Sequence, residues 1–491
     1  METIHLKTPD PVSQHLLRSA AQQGIDLPWE RYEKAQPQDG FMRLGLYCPL
    51  ECLHGPCRID PFSRGPTQGI CGLGREQMVA ATLLRLCQKG ATQALAGAPH
   101  CNDANGLELS GALGNLIDKT LTATRQDDLS CSEIFEAAGL LQRSFCSQEK
   151  FLQKALRLGL LTLALVDQSS ISAKVDTLEC STGYGVIPEA PVRVGFSGRP
   201  PQGLIDALEK GLLNGPAPSA ALLSLGDWLR LDGRYMPIGV TSGEAELLLS
   251  SGAIHLLVAG PGTDPGVIAL CKQMNVPVVM DYQTADPGDI LKQARTRAAQ
   301  SSYPDLFADV PAGLLTRVIM SPDSFSKTIV NDSVDQVALI GGADTPHLPL
   351  GSLAGDLFTA LTGTNVKIAG WGDTALWMAR RAQVDASVDQ PLILENNQGP
   401  LLAIKGLAEA EKLHCLKGVC FAGMRDVLDL NIALGLAYIG FRVSIATPIP
   451  LHGSNVVNQT LSQLIVENGG ELLHFDHPAE AGDLVSWFTA L

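Results

Sequence analysis

Cys48-Pro-Leu-Glu-Cys52-Leu-His-Gly-Pro-Cys57-Arg-Ile-Asp-Pro-Phe62, followed by Gly69-Ile-Cys71-Gly72, places four thiols within 24 residues. The whole chain has only twelve cysteines in 491 residues, so this grouping is poorly explained by accident. Thiolates are soft ligands, and clustered spacings let one loop supply several of them to a metal centre. Gly55 and Pro56 permit the tight turn that brings Cys52 and Cys57 together, and Gly69 and Gly72 leave room for backbone N–H groups beside the fourth sulfur. Zinc sites more often use C-x2–4-C pairs separated by a longer loop. Spacing alone leaves three readings open: an iron–sulfur cubane, structural zinc and unligated thiols.

Outward from this loop the chain first reads as helical. Arg75–Lys89 carries a broad apolar face (Met78, Val79, Leu83, Leu84, Leu86, Cys87), with Gly90 as the expected stop. Leu107–Thr124, Cys131–Gln142 and Lys150–Val166 behave similarly. The Gly/Pro-rich stretch from Cys180 to Pro201 reads as a linker. Beyond it short apolar runs alternate with helical patterns: Ile254–Ala259, Gly266–Met274 and Val276–Met280, then Gln336–Ile340, Val366–Ala369 and Phe441–Ala446 as buried-strand candidates. That rhythm belongs to βαβ units and a mostly parallel sheet. A second break is expected near Ala308–Asp335.

The formal net charge is −15 and hydrophobic content is 45%. An acidic chain with no basic run is repelled by nucleic acid and anionic membranes, so neither is expected as a partner. Met1–Gln14 has no signal-peptide pattern, and Ala155–Val166 is too short to span a bilayer. A cytoplasmic location is expected, where twelve cysteines do not form stable disulfides. Cys87, Cys131, Cys146, Cys180 and Cys271 sit in apolar patterns as expected buried thiols. His414, Cys415 and Cys420 lack an evident fourth partner, and Gly260-Pro-Gly262 and Gly341-Gly342 do not form a nucleotide fingerprint.

Leu53–Phe62, with Gly65-Pro and Gly69–Gly72, closely resembles nickel-dependent carbon monoxide dehydrogenases. The likeness continues more weakly through Ile254–Met280, Val337–Arg381, Lys417–Arg425 and Pro448–Ser454. It implies one [4Fe–4S] cluster per chain, held by Cys48, Cys52, Cys57 and Cys71. Cys48 departs from the family spacing by one residue. The implied fold class is α/β multidomain, a helical N-terminal iron–sulfur domain (1–190) followed by two Rossmann-like parallel α/β domains (191–325 and 326–491).

The same resemblance exposes what is missing. The family's second, nickel–iron–sulfur site takes one His and several Cys from the two α/β domains. Here the His position is flanked by Ala259 and Pro261 at Gly260, and no cysteine lies from Lys272 to His414. The turns that should carry cysteine read Gly341-Gly342-Ala343-Asp344 and Gly370-Trp371, and only Cys420 is kept. Asp426–Ile439 holds no lysine where the family has a catalytic one, and Met1–Tyr47 holds no cysteine for an intersubunit cluster. His100 and Cys101 read as a loop pair, with proton relay as the alternative. The expectation is a homodimeric homologue that keeps its cubane, binds no nickel, and serves as a redox, structural or scaffold protein with a possible redox or catalytic partner. The alternative is an active enzyme converting CO and water to CO2, with electrons passed to an iron–sulfur acceptor.

Overall fold

A computed structural model describes residues 7–35, 40–50, 52–55, 57–62, 64–98, 107–142, 146–169, 175–213, 220–280, 282, 285–300, 307, 310–384 and 389–490. The helical part is anchored by Arg75–Gly97, Gln148–Ser169 and, from far along the chain, Val427–Tyr438. Val427–Tyr438 is apolar on every side, so it must be enclosed on every side. It is received by glycines: a Cβ on Gly159 would lie 2.8 Å from the Gly435 nitrogen, and one on Gly90 would lie 2.5 Å from the Val427 carbonyl oxygen. Asn431 then donates to the Cys87 carbonyl (2.8 Å) and the Thr162 hydroxyl (2.9 Å). Gly90 therefore marks a close helix crossing and not a stop, and the helix runs on to Gly97.

The strands form one continuous sheet. In spatial order it runs Glu471–His474, Arg442–Ile445, Leu416–Gly423, Val337–Gly342, Lys367–Trp371, Leu392–Leu394, Leu314–Ile319, Thr177–Thr182, Ile238–Val240, Ala221–Leu225, Arg193–Ser197, Leu256–Ala259 and Val278–Val279. Pairing along this path is parallel except between Thr177–Thr182 and Leu314–Ile319. Two parallel blocks thus join edge to edge at one antiparallel seam. The strand candidates at 254, 276, 336, 366 and 441 all form strands, each shifted or trimmed by one to a few residues.

Two expectations fail. The expected linker holds the strands Thr177–Thr182 and Arg193–Ser197, the second fully buried. The expected break after Ala308 holds the seam strand Leu314–Ile319 and the helix Pro322–Asn331. Some of their Gly and Pro residues lie in turns and others inside the elements, such as Gly195 in the second strand and Pro322 at the start of the helix, so composition alone makes the stretches resemble linkers. Among the described residues no helix is long and apolar enough to cross a membrane.

Candidate metal centre

The cysteine loop folds back on itself. Tyr47 and Arg58 form an antiparallel bridge, and the Cys48 N–H donates to the Cys57 carbonyl at 2.8 Å. The Gly55 N–H closes a turn on the Cys52 carbonyl (3.1 Å). The second arm closes through Gly69 N–H to the Leu73 carbonyl (2.9 Å), which carries Cys71 back toward Cys57. Gly69 lies against Cys57, where a Cβ would sit 3.7 Å from the sulfur. The Ile70 N–H donates to the Cys57 sulfur at 3.5 Å, the kind of backbone contact that tunes a metal-bound thiolate.

All four thiols share one neighbourhood. Burial raises the Cys48 thiol pKa, and the charges of Cys57, Cys71 and Cys52 raise it further. Cys48 and Cys57 are half-buried, while Cys52 and Cys71 are exposed. Yet among the described residues no three His, Cys, Asp or Glu side chains stand close enough to hold a single ion. Zinc binds each sulfur at about 2.3 Å and would gather them tightly. Four thiols on one loop are the soft donor set that a [4Fe–4S] cluster takes, and structural zinc can take it too.

The other cysteines are dispersed. Cys87, Cys180, Cys271, Cys415 and Cys420 are buried, and Cys146 is half-buried. Cys131 departs from expectation in being disulfide-bonded. His414 is exposed while Cys420 is fully enclosed, so they make no site together. His100 and Cys101 lie outside the described residues.

The second family site maps to the carboxyl ends of the strands, where ligands bind in open α/β sheets. Here those ends are closed. At Gly260 a Cβ would meet the Pro200 nitrogen at 2.2 Å, so a side chain has no room there. Asp281, Gln283 and Thr284 lie outside the described residues, while the Tyr282 hydroxyl donates to the Ala259 carbonyl. The Trp371 indole covers Gly341, whose Cβ would lie 2.0 Å from the ring, and it packs edge-on against Phe421 with centroids 5.5 Å apart. Gly342 has φ +121°, and a Cβ there would lie 2.0 Å from the Gly423 carbonyl oxygen. Cys420 packs with Ile340 and Ala446, whereas Trp371 packs with the opposite apolar set. Burial pushes the Cys420 thiol pKa up to about 12, so it is not a thiolate.

A polar network that sequence reading missed joins the two α/β halves at this point. The Ser242 N–H and the Asp344 N–H each donate to the Asp373 carboxylate at 3.0 Å, and the Ser242 hydroxyl donates to it as well. Glu244 is fully buried; it pairs with Arg380 (2.9 Å) and accepts from the Thr241 N–H (3.0 Å), the Ser13 hydroxyl and Tyr184 (3.2 Å). Trp377 Nε1 donates to Asp344 (3.0 Å). The Thr241 hydroxyl lies against both Glu244 (3.2 Å) and Asp344. A hydroxyl has one proton and cannot donate to two carboxylates. Burial and the adjacent Asp373 push the Asp344 carboxyl well above the usual carboxylate range, which favours its protonated form. The one local signal was the capping box Thr241-x-x-Glu244.

A cavity of about 30 Å³ remains beside Asp344, Thr345, Thr374, Trp377 and Ala422. That is space for about one water.

No family model matches the chain. A stretch of 103 residues is 45% identical to carbon monoxide dehydrogenase 1 of Methanosarcina mazei, covering 21% of this chain and 16% of that protein. Another, of 82 residues, is 48% identical to carbon monoxide dehydrogenase 1 of Carboxydothermus hydrogenoformans, covering 17% and 13%. The matched stretch thus spans about a sixth or less of the length of these curated relatives. The fold extends much further. It superposes on carbon monoxide dehydrogenase IV of Carboxydothermus hydrogenoformans with a TM-score of 0.78 at 19% identity, over 98% of both chains. On a nickel-free carbon monoxide dehydrogenase from Thermococcus sp. AM4 the TM-score is 0.75 at 16% identity, over 99% and 98%.

Proposed function

We propose that this relative of the carbon monoxide dehydrogenases, alike in a short stretch of sequence and in fold over nearly its whole length, is a [4Fe–4S] protein without a nickel site. Cys48, Cys52, Cys57 and Cys71 would hold the cluster, which when bound supplies a one-electron redox centre. The chain's own residues gather the four thiols, aim the Ile70 N–H at the Cys57 sulfur, and leave Cys52 and Cys71 at the surface.

The observation that carries this reading is the contrast between the two places. Four thiols share one loop, while the strand ends hold an indole, carboxyl groups and a cavity of about 30 Å³. CO oxidation on a metal needs the metal, its hydroxide and proton-handling groups within ångströms of each other. The strand ends offer no thiolate set to fix such a cluster. In its place the carboxyl network holds the two α/β halves together, a structural role. We further propose a three-part organisation at 1–190, 191–325 and 326–491, a homodimer and a cytoplasmic setting, by resemblance.

The alternative is an active dehydrogenase, favoured by the sequence likeness in the matched stretch. CO-dependent viologen reduction by anaerobically purified protein, supplied with nickel and reductant, separates the two. A rate at background supports the proposal, and a steady rate proportional to bound nickel overturns it.

A further inference from the structure

We propose that the small cavity beside Asp344 is a binding site for a monovalent cation of the sodium or potassium class. The cavity, of about 30 Å³, is walled on one side by residues 348–350, and its polar lining comes from Asp344, Thr345 and Thr374. Thr345 is only 8% exposed, and its hydroxyl oxygen is enclosed with no hydrogen-bond partner among the described residues. A hydroxyl enclosed in this way is costly unless something in the cavity meets it. The Thr374 hydroxyl donates to the Gly342 carbonyl (3.2 Å), which leaves its lone pairs for the cavity. Loose packing does not explain the space. Backbone approaches its walls at distances that only glycine allows: a Cβ on Gly243 would lie 2.6 Å from the Asp344 Cβ, and one on Gly351 would lie 2.3 Å from the Trp377 ring.

The charge around the cavity is unbalanced. Asp344, Asp373 and Glu244 come together there, and Arg380 is committed to Glu244 at 2.9 Å. Arg425 is exposed and acts on Asp373 through its field. Tyr184, which also faces Glu244, is kept neutral by burial. Three carboxyls against two guanidinium groups leave one negative charge to be neutralised, by a proton on Asp344 or by an ion beside it. The proton serves at low pH. Once Asp344 ionises, a cation in the cavity performs the same task. Asp344 is the one carboxyl among the lining residues, and among the described residues no three His, Cys, Asp or Glu side chains stand together, which disfavours a divalent ion. One carboxylate, two hydroxyls and room for about one water suit a hard, singly charged ion. Bound there, the ion would tie Asp344, through the Thr241 hydroxyl, to the turn Ser242–Glu244 of the other α/β half.

The test is thermal unfolding of the whole chain, purified without oxygen, at about pH 8 in the chlorides of sodium, potassium, caesium and choline at an equal ionic strength of about 0.2 M. Sodium or potassium should raise the midpoint by about 2 °C over choline, and the rise should saturate with concentration. Caesium, too large for the cavity, should give none. The rise should shrink at about pH 5, where a proton on Asp344 competes with the ion. Thr345→Val and Asp344→Asn should each abolish it, and Lys327→Gln, at an exposed ion pair elsewhere, should keep it. Equal midpoints in all four salts overturn the site and mean that the cavity holds water only. A rise that Thr345→Val retains in full also overturns it, because the ion then binds elsewhere. If either variant at the site fails to fold, the saturating, size-selective rise of the unaltered chain over choline decides the question by itself.

Discussion

The cysteine loop and the strand-end crevice each bring donor side chains together, and they differ in kind. The loop keeps four thiols in mutual reach, two of them exposed, with little else around them. The crevice holds hard donors and bulk: Asp344, Asp373 and Glu244 are already satisfied by N–H and hydroxyl donors, and Trp371 covers Gly341. A hydrogen-bonded network ties strand ends of the two α/β halves together there. A donor set left open has a ligand-binding role, whereas one that satisfies itself has a structural role.

Removing a loop donor should have the largest effect. Cys57→Ser and Cys71→Ser should each lose most of the cluster absorbance and much soluble yield, since a loop organised around a metal folds with it. Cys271→Ser, buried in the core, should leave the visible spectrum unchanged. An unchanged spectrum in Cys57→Ser would remove the loop from the comparison altogether.

Reopening the crevice comes next. Gly342→Cys puts a side chain where φ is +121° and a carbonyl oxygen lies 2.0 Å from its Cβ. It should cost about 3 kcal/mol or more in denaturant unfolding and recruit no nickel. Nickel uptake by this variant at wild-type stability would show that the crevice is not closed.

The network itself gives a smaller, more diagnostic effect. Asp344→Ala should destabilise by about 2 kcal/mol, by leaving the Trp377 N–H without its acceptor. Asp344→Asn should cost less, because it keeps a neutral group at the position. The pH dependence follows from the raised pKa of Asp344 in the folded state. Its contribution is complete below the unfolded carboxylate value of about 3.9 and is lost as pH rises from there toward the folded value. Wild type should therefore lose stability with rising pH relative to Asp344→Asn, in unfolding curves measured from pH 4 upward, and parallel curves would mean that Asp344 is ionised. The smallest effect belongs to Cys420→Ala, expected to leave iron content unchanged and cost about 1 kcal/mol, as for a buried apolar thiol.

The comparison also explains what could be read in advance. The loop is local: four cysteines within 24 residues and their glycines are visible in the sequence. Buried strands such as Val337–Gly342 and Leu256–Ala259 are continuous apolar runs, legible to within a few residues. The crevice network is not local. Thr241 meets Asp344 across 103 positions, and Glu244 meets Arg380 across 136. No window of sequence contains both partners, so Asp344 and Asp373 read only as turn residues. Composition misled where Gly and Pro serve packing, as at Gly90 and between Cys180 and Pro201. There a tertiary contact, or a pair of short strands, overrode the local signal.

The most direct test of the contrast is metal and sulfide analysis of protein purified without oxygen and supplied with iron, sulfide and nickel. One filled loop and one closed crevice predict about four iron and four sulfide per chain and no stoichiometric nickel. About eight iron per chain, or one nickel retained through gel filtration, would contradict the account, because the crevice would then hold a cluster that its observed packing leaves no room for.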